Sequence, residues 1–190
     1  MNDWDAKSFD WPINSDSVVV EIGGYKGRWA KEIASRYNPH LYIFEPQQWA
    51  YEICCDELRG SKAQVFDYAL VSDDSIVSTV GDFGTDGASL LKGNHANNSI
   101  VKTMNIGEAF SLLKLTDIDL LLMNIEGYEF TLLPHMIETG MLNKIRYLMV
   151  QFHMFASSEL EYNFLKIEIE KTHRKLWDYG PTLIAWEKIG

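Results

Sequence analysis

Val18-Val-Val-Glu-Ile-Gly-Gly-Tyr-Lys-Gly27, followed by Arg28–Tyr37, decides the fold. A β-branched run ends in an acid, turns through glycines and enters a helical pattern. Parallel α/β sheets use such a junction to present backbone N–H groups to a nucleotide-like ligand. The glycine spacing separates ligand classes. A dinucleotide fingerprint requires G-x-G-x-x-G, but reading from Gly23 the second and third glycine positions hold Tyr25 and Arg28. A phosphate-cradling P-loop requires G-x-x-x-x-G-K-[ST], which this chain lacks. The loop instead reads acid-x-Gly-x-x-x-Gly, from Glu21 through Gly23 to Gly27, with Gly24 and Tyr25 inside it.

The following strands support a ligand site at the same sheet edge. Leu41-Tyr-Ile-Phe44 ends in Glu45, about 20 residues past the glycine turn, where an open nucleotide-binding sheet places the acid that grips ribose hydroxyls. A carboxylate accepts hydrogen bonds from two adjacent hydroxyls. Pro46 is expected as the first residue of the next helix, because its missing N–H costs nothing there. Ala63-Gln-Val-Phe66 reads as a third strand, and Asp67, Tyr68 and Ala69 at its end are either an adenine contact or a solvated strand end.

The glycine loop resembles the first motif of S-adenosylmethionine-dependent methyltransferases. Glu21-Ile-Gly-Gly-Tyr-Lys-Gly27, Phe44-Glu45-Pro46, Ala69-Leu70 and Asn124-Ile-Glu-Gly-Tyr-Glu129 occur in the order seen in the FkbM family of methyltransferases, from Val18 to His153. The resemblance implies a class I methyltransferase fold. This is a Rossmann-like α/β sheet, mostly parallel, of strand order 3-2-1-4-5-7-6, with a terminal antiparallel hairpin and helices on both faces. It implies S-adenosylmethionine as cofactor, with Glu21 toward the ligand ammonium and the loop Gly23, Gly24, Tyr25 and Gly27 beneath it. Glu45 and Pro46 would lie at the ribose, Asp67, Tyr68 and Ala69 at the adenine, and Asn124 beside the reacting end. It also implies O-methylation of a hydroxyl on a sugar, natural product or other small molecule.

Two departures bear on the chemistry. Where the family has Lys-Ile-Asp this chain has Met123-Asn124, and Gln151 stands where relatives often carry Glu. Carboxamides orient a substrate by hydrogen bonding but neither act as general bases nor bring negative charge to a metal. His153, just after the fifth strand, becomes the leading general-base candidate, beside Asn124 and Glu126 as catalytic candidates. The alternative for His153 is a histidine that caps the strand end beside Phe152 and Phe155. Glu126 either contacts substrate or fixes its turn, and Glu129 is expected to stabilise a helix start.

Length and composition set the remaining bounds. The chain has 190 residues, 46% of them hydrophobic, enough for one α/β core over 1–190 with a polar loop insertion around 81–99. That Gly-, Asn-, Asp- and Ser-rich stretch offers Asp82, Asp86, Ser89 and His95 as substrate contacts. Seventeen basic and 27 acidic residues give a formal net charge of −10, which disfavours nucleic acid as a partner. No run is long enough to span a bilayer and no signal-peptide pattern opens the chain; adjacent Cys54 and Cys55 read as free thiols suited to a reducing cytoplasm. No cluster has structural-zinc spacing, leaving only a weak divalent site near Glu126 and His153.

Further along, Trp29, Ile33 and Tyr37 give the first helix an apolar face, and Trp49, Ile53 and Leu58 are expected to do so for the second. Ser75–Val80 reads as a short strand, Ile106–Leu113 as a helix and Asp119–Asn124 as the fourth strand. Pro134 is expected to kink or divide the helix that follows, which ends near Gly140. Ile145–Phe152 reads as the fifth strand, and Arg174–Tyr179 and Thr182–Lys188 as a hairpin about Gly180-Pro181. His135 and His173 fall in expected helices, and His40 in a loop. The competing functional class is a non-catalytic S-adenosylmethionine-binding module. A nucleobase methyltransferase and an NAD-dependent oxidoreductase fit less well.

Overall fold

The structure is a computed structural model and describes residues 7–73, 78–79, 99–154 and 158–190. Strands β1 (Val18–Ile22), β2 (His40–Phe44) and β3 (Ala63–Phe66) alternate with helices α1 (Arg28–Tyr37) and α2 (Gln48–Glu57). Four short strands follow: β4 (Ala69–Val71), β5 (Ser78–Thr79), β6 (Ser99–Ile100) and β7 (Thr103–Asn105). The chain continues through α3 (Ile106–Leu112), β8 (Ile118–Met123), α4 (Glu129–Glu138), β9 (Ile145–Gln151), α5 (Glu159–Glu170), β10 (His173–Asp178) and β11 (Leu183–Lys188).

The main sheet has seven strands in the order β3-β2-β1-β8-β9-β11-β10. Numbered among themselves, these strands run 3-2-1-4-5-7-6, the order that the motifs imply. Pairs from β3 to β9 are parallel, while β11 runs antiparallel between β9 and β10. The central strands are apolar on both faces, as a sheet covered on both sides requires. On one face Val20, Leu121 and Leu148 pack with Leu132 and Leu165 from α4 and α5. On the other, Val19, Leu120 and Tyr147 pack with Trp29 and Ile33 of α1 and with Phe9, Trp11 and Ile13.

Several expectations change. Helix α2 begins at Gln48, so Pro46 precedes it by two residues and is not its first residue. Its core face is Ala50 and Cys54, continued by Leu58, while Ile53 is 37% exposed. Small residues face inward because Gly27 is packed against Cys54. Helix α4 runs undivided through Pro134 and is followed by left-handed Gly140. His40 opens β2 and His173 opens β10, so neither is where the pattern puts it. His173 is fully buried, with Nε2 3.0 Å from the Ile145 carbonyl oxygen and Nδ1 2.8 Å from Thr172 Oγ1. Burial lowers its pKa, so the imidazole is neutral and Nε2–H donates to the carbonyl. Ala69 opens β4, which pairs in parallel with β7 apart from the main sheet. Asp82, Asp86, Ser89 and His95 lie outside the described residues.

The contact between Gly27 and α2 fixes how closely the loop and helix approach. Gly27 has φ 74°, and a Cβ there would stand 2.9 Å from Cys54 Sγ. Gly27→Ala should therefore destabilise by about 2 kcal/mol through left-handed strain and overlap. Combined with Cys54→Ala it should cost less than the sum of the single changes, by about 1 kcal/mol in denaturant unfolding. Simple additivity contradicts the proposed contact.

Candidate active site

Side chains alternate between sheet faces with period two, so the ends of adjacent parallel strands collect on one side. On the α1 face, Val19 leads to Glu21, Leu122 to Asn124 and Met149 to Gln151. Glu21 lies opposite Leu122 and β9 continues the sheet beyond β8, so three polar residues end three neighbouring rows at the carboxyl edge. They line a cavity of about 190 Å³ together with Gly23, Gly24 and Tyr25 of the glycine loop. Trp29, Leu122, Met149 and Leu183 supply apolar walls, and Arg28 and the Ser8–Phe9 segment also line it.

The cavity's electrostatics are unusual for a protein interior. Glu21 is 3% exposed, and its Oε2 has no hydrogen-bond partner among the described residues. The same holds for Asn124 Oδ1. Burial, and then the nearby Glu45, push the Glu21 carboxyl well above the ordinary carboxylate range. Unpaired buried acceptors carry a free-energy cost that a bound donor removes. A third unpaired polar atom, Trp186 Nε1, lies in the opposite core beside Phe152.

The glycine loop is shaped mainly by the protein itself. The Gly23 and Gly24 N–H groups both donate to the Phe44 carbonyl, at 2.9 and 3.3 Å. A Cβ on Gly23 would fall 1.9 Å from the Asn124 carbonyl oxygen, and one on Gly24 would fall 2.3 Å from Ile43 Cγ2. Glycine at 23 and 24 thus allows β1, β2 and the β8 turn to close together. Tyr25 follows with φ 46°, and its N–H donates to Glu45 Oε2 at 2.6 Å. Glu45 Oε1 accepts the Gln47 N–H at 2.8 Å, so the expected ribose acid also anchors the loop. Asp67 forms an ion pair with Lys102, and Ala69 donates its N–H to the Lys102 carbonyl at 2.8 Å. Neither these two residues nor Tyr68, Glu45 or Pro46 is among those lining the cavity.

His153 differs from its expected role. Nδ1 lies 3.0 Å from Glu129 Oε1 and Nε2 lies 3.1 Å from Glu126 Oε1. Burial lowers its pKa, but hydrogen bonds to Glu126 and Glu129 and their charges outweigh that, raising it to about 9. At neutral pH both ring nitrogens donate, so His153 has no lone pair for a substrate proton. The fully buried Glu129 also accepts the Ile125 and Gly127 N–H groups, each at 2.8 Å. The turn after Asn124 is therefore fixed by Glu129, with Glu126 held at φ 55° and bound to the imidazolium. No group of three or more His, Cys, Asp or Glu side chains among the described residues is placed so that it could hold a metal ion.

The N-terminal wall was not anticipated. Trp11 and Trp29 both donate their indole N–H to the Ser8 carbonyl, at 2.8 and 2.9 Å. The Tyr37 hydroxyl donates to the Phe9 carbonyl at 3.1 Å. The alternation Phe9-x-Trp11-x-Ile13 was its signal in the sequence.

The FkbM methyltransferase domain matches residues 21–181. The chain belongs to the FkbM methyltransferase family. No curated protein matches it. Among solved structures, this FkbM methyltransferase is similar to an rRNA methylase from Streptococcus thermophilus, at 12% identity and TM-score 0.58, over 98% of this chain and 95% of the other. A human methyltransferase 10 domain containing protein shares 10% identity at TM-score 0.57, over 98% and 80% of the two chains. M. capricolum TrmK in complex with S-adenosyl-homocysteine shares 12% identity at TM-score 0.50, over 99% and 69%. At these identities the likeness is one of fold, a class I methyltransferase sheet. No helix among the described residues is long and apolar enough to cross a membrane.

The His153 cluster sets a pH dependence. Its folded-state pKa of about 9 exceeds the unfolded value of about 6.5, so the contribution is complete below about pH 6.5 and disappears as pH rises through about 9. Denaturant unfolding at pH 6.5 and pH 10 should differ by up to about 3 kcal/mol on this account. His153→Gln should remove most of that difference. An unchanged pH slope in the variant contradicts the assignment.

Proposed function

We propose that this protein is an S-adenosylmethionine-dependent O-methyltransferase acting on a hydroxyl of a sugar, natural product or other small molecule. The observation that carries the reading is the pair of buried, unpartnered acceptors, Glu21 Oε2 and Asn124 Oδ1, on two residues that line one cavity beside the glycine loop. The residues fit the amino-acid end of that cofactor. An ammonium offers the charge and donors that both oxygens lack, and Trp29, Leu122 and Met149 suit an apolar chain. Each Glu45 oxygen keeps acceptor capacity beyond its one backbone bond, available to ribose hydroxyls. Asp67, Tyr68 and Ala69, past the end of the neighbouring β3, remain the proposed adenine contacts.

When bound, S-adenosylmethionine supplies a methyl group activated by its sulfonium. The chain's part is to hold an acceptor oxygen in line with that methyl and to take its proton. Alignment contributes up to about 7–11 kcal/mol in favourable models, and a base typically adds about 10²–10⁴-fold. With His153 protonated and Asn124 a carboxamide, Glu126 is the one of the three catalytic candidates able to accept a proton. Its carboxylate is partly exposed, with a side-chain exposure of 26%, and is oriented by His153. A formal net charge of −10 favours an uncharged acceptor over the RNA implied by the names of some structural relatives.

Calorimetry with S-adenosylhomocysteine and a screen of hydroxyl acceptors test this reading. Binding and turnover are expected, with Glu126→Gln lowering kcat by about 10²–10⁴-fold at little change in affinity for the cofactor product. His153→Gln should cost less than Glu126→Gln. Tight binding with no turnover on any hydroxyl acceptor would favour the non-catalytic module instead.

A further inference from the structure

Two acids end neighbouring strands at the cofactor edge, and they differ in what surrounds them. Glu45 receives the Tyr25 and Gln47 N–H groups at 2.6 and 2.8 Å. Burial raises the Glu45 carboxyl above its ordinary range, and those two donors oppose the rise by stabilising the carboxylate form. Glu21 Oε2 is buried with no partner among the described residues, and Glu21 is one of the residues lining the cavity. When two buried acids lie close together, the one without donors holds its proton more tightly.

Apart from Arg28, the groups facing Glu21 from the packed elements offer its carboxylate no compensating positive charge. From β2 comes the Glu45 charge, which disfavours a second carboxylate. From α2 comes Cys54, itself pushed up by burial and then by Glu21, so a neutral thiol that offers no compensating charge. From β8 and β9 come Asn124 and Gln151, both uncharged. Tyr25 and Arg28 line the cavity from the loop and α1, but they do not offset the burial of Glu21. His153, Glu126 and Glu129 form a separate hydrogen-bonded cluster, and none of them is among the cavity-lining residues.

We propose that Glu21 carries its proton in the free protein and releases it to solvent when a ligand ammonium binds against it, so that cofactor binding and proton release are one event. This rests on the cofactor reading above. The Glu21 O–H bond breaks, the proton passes to bulk water, and the carboxylate charge left behind is matched by the incoming ammonium. No other reactant is needed. The carboxamide at Asn124 limits the exchange to one proton, because an Asp there would add a second acid to the residues lining the cavity.

The test is calorimetry on the full chain between pH 5.5 and 6.5, in buffers of different ionisation enthalpy. S-adenosylhomocysteine carries an ammonium at these pH values, and 5′-methylthioadenosine has the nucleoside without the amino-acid end. S-adenosylhomocysteine is expected to release up to one proton and to bind up to about tenfold more tightly per unit rise in pH. 5′-Methylthioadenosine should bind without proton release, and Glu21→Gln should abolish release with S-adenosylhomocysteine. Tight binding without release overturns the proposal, as does equal release with both ligands or undiminished release in Glu21→Gln. Should Glu21→Gln fail to bind, the two ligands on the parent protein decide the question. Failure of both ligands to bind the parent overturns the cofactor reading and this proposal with it.

Discussion

The constraint on which the site depends is the period-two alternation of three adjacent parallel strands. Val19, Leu120, Leu122, Tyr147 and Met149 make one face of the sheet apolar through its middle. The next residues in those rows are Glu21, Asn124 and Gln151, which are polar and end at the same edge. A sheet covered on this side by α1 and the N-terminal segment gives those polar ends little water. Glu21 Oε2 and Asn124 Oδ1 consequently remain unpaired, and this is the structural basis for expecting a cationic, donor-rich ligand.

Two local devices keep that edge in place. Gly23 and Gly24 let β1, β2 and the turn after β8 approach at distances no side chain would allow. Glu45 ties Tyr25 to the start of the next helix, so the residue expected at the ribose also shapes the loop. On the opposite side of Asn124, Glu129 satisfies two turn N–H groups while His153 bridges Glu129 and Glu126. The residues that resemble family motifs are therefore largely devices for holding backbone, and their ligand-directed capacity lies in the few atoms they leave unpaired.

Much of the fold was legible because it is written locally. The β-branched run at Val18, the glycine turn, the Phe44-Glu45 strand end and the Gly180-Pro181 turn each occupy a short window and fix the neighbours of the central strands. The sequence reading failed where partners lie far apart or where small residues do the packing. Lys102 meets Asp67 across 35 positions, and nothing near either residue signals β4 pairing with β7. The inward face of α2 is Ala50 and Cys54, which an apolar count centred on Trp49 and Ile53 passes over. His153 looked like a base because its position at a strand end was readable. Its carboxylate partners at Glu126 and Glu129 were visible too, but their convergence on the ring was not.

A crystal structure of the protein with S-adenosylhomocysteine tests the central claim most directly. The account predicts the ligand ammonium within hydrogen-bond distance, about 2.7–3.2 Å, of both Glu21 Oε2 and Asn124 Oδ1, with the glycine loop unchanged. A ligand bound elsewhere, or bound here with those two oxygens still unpaired, would contradict it.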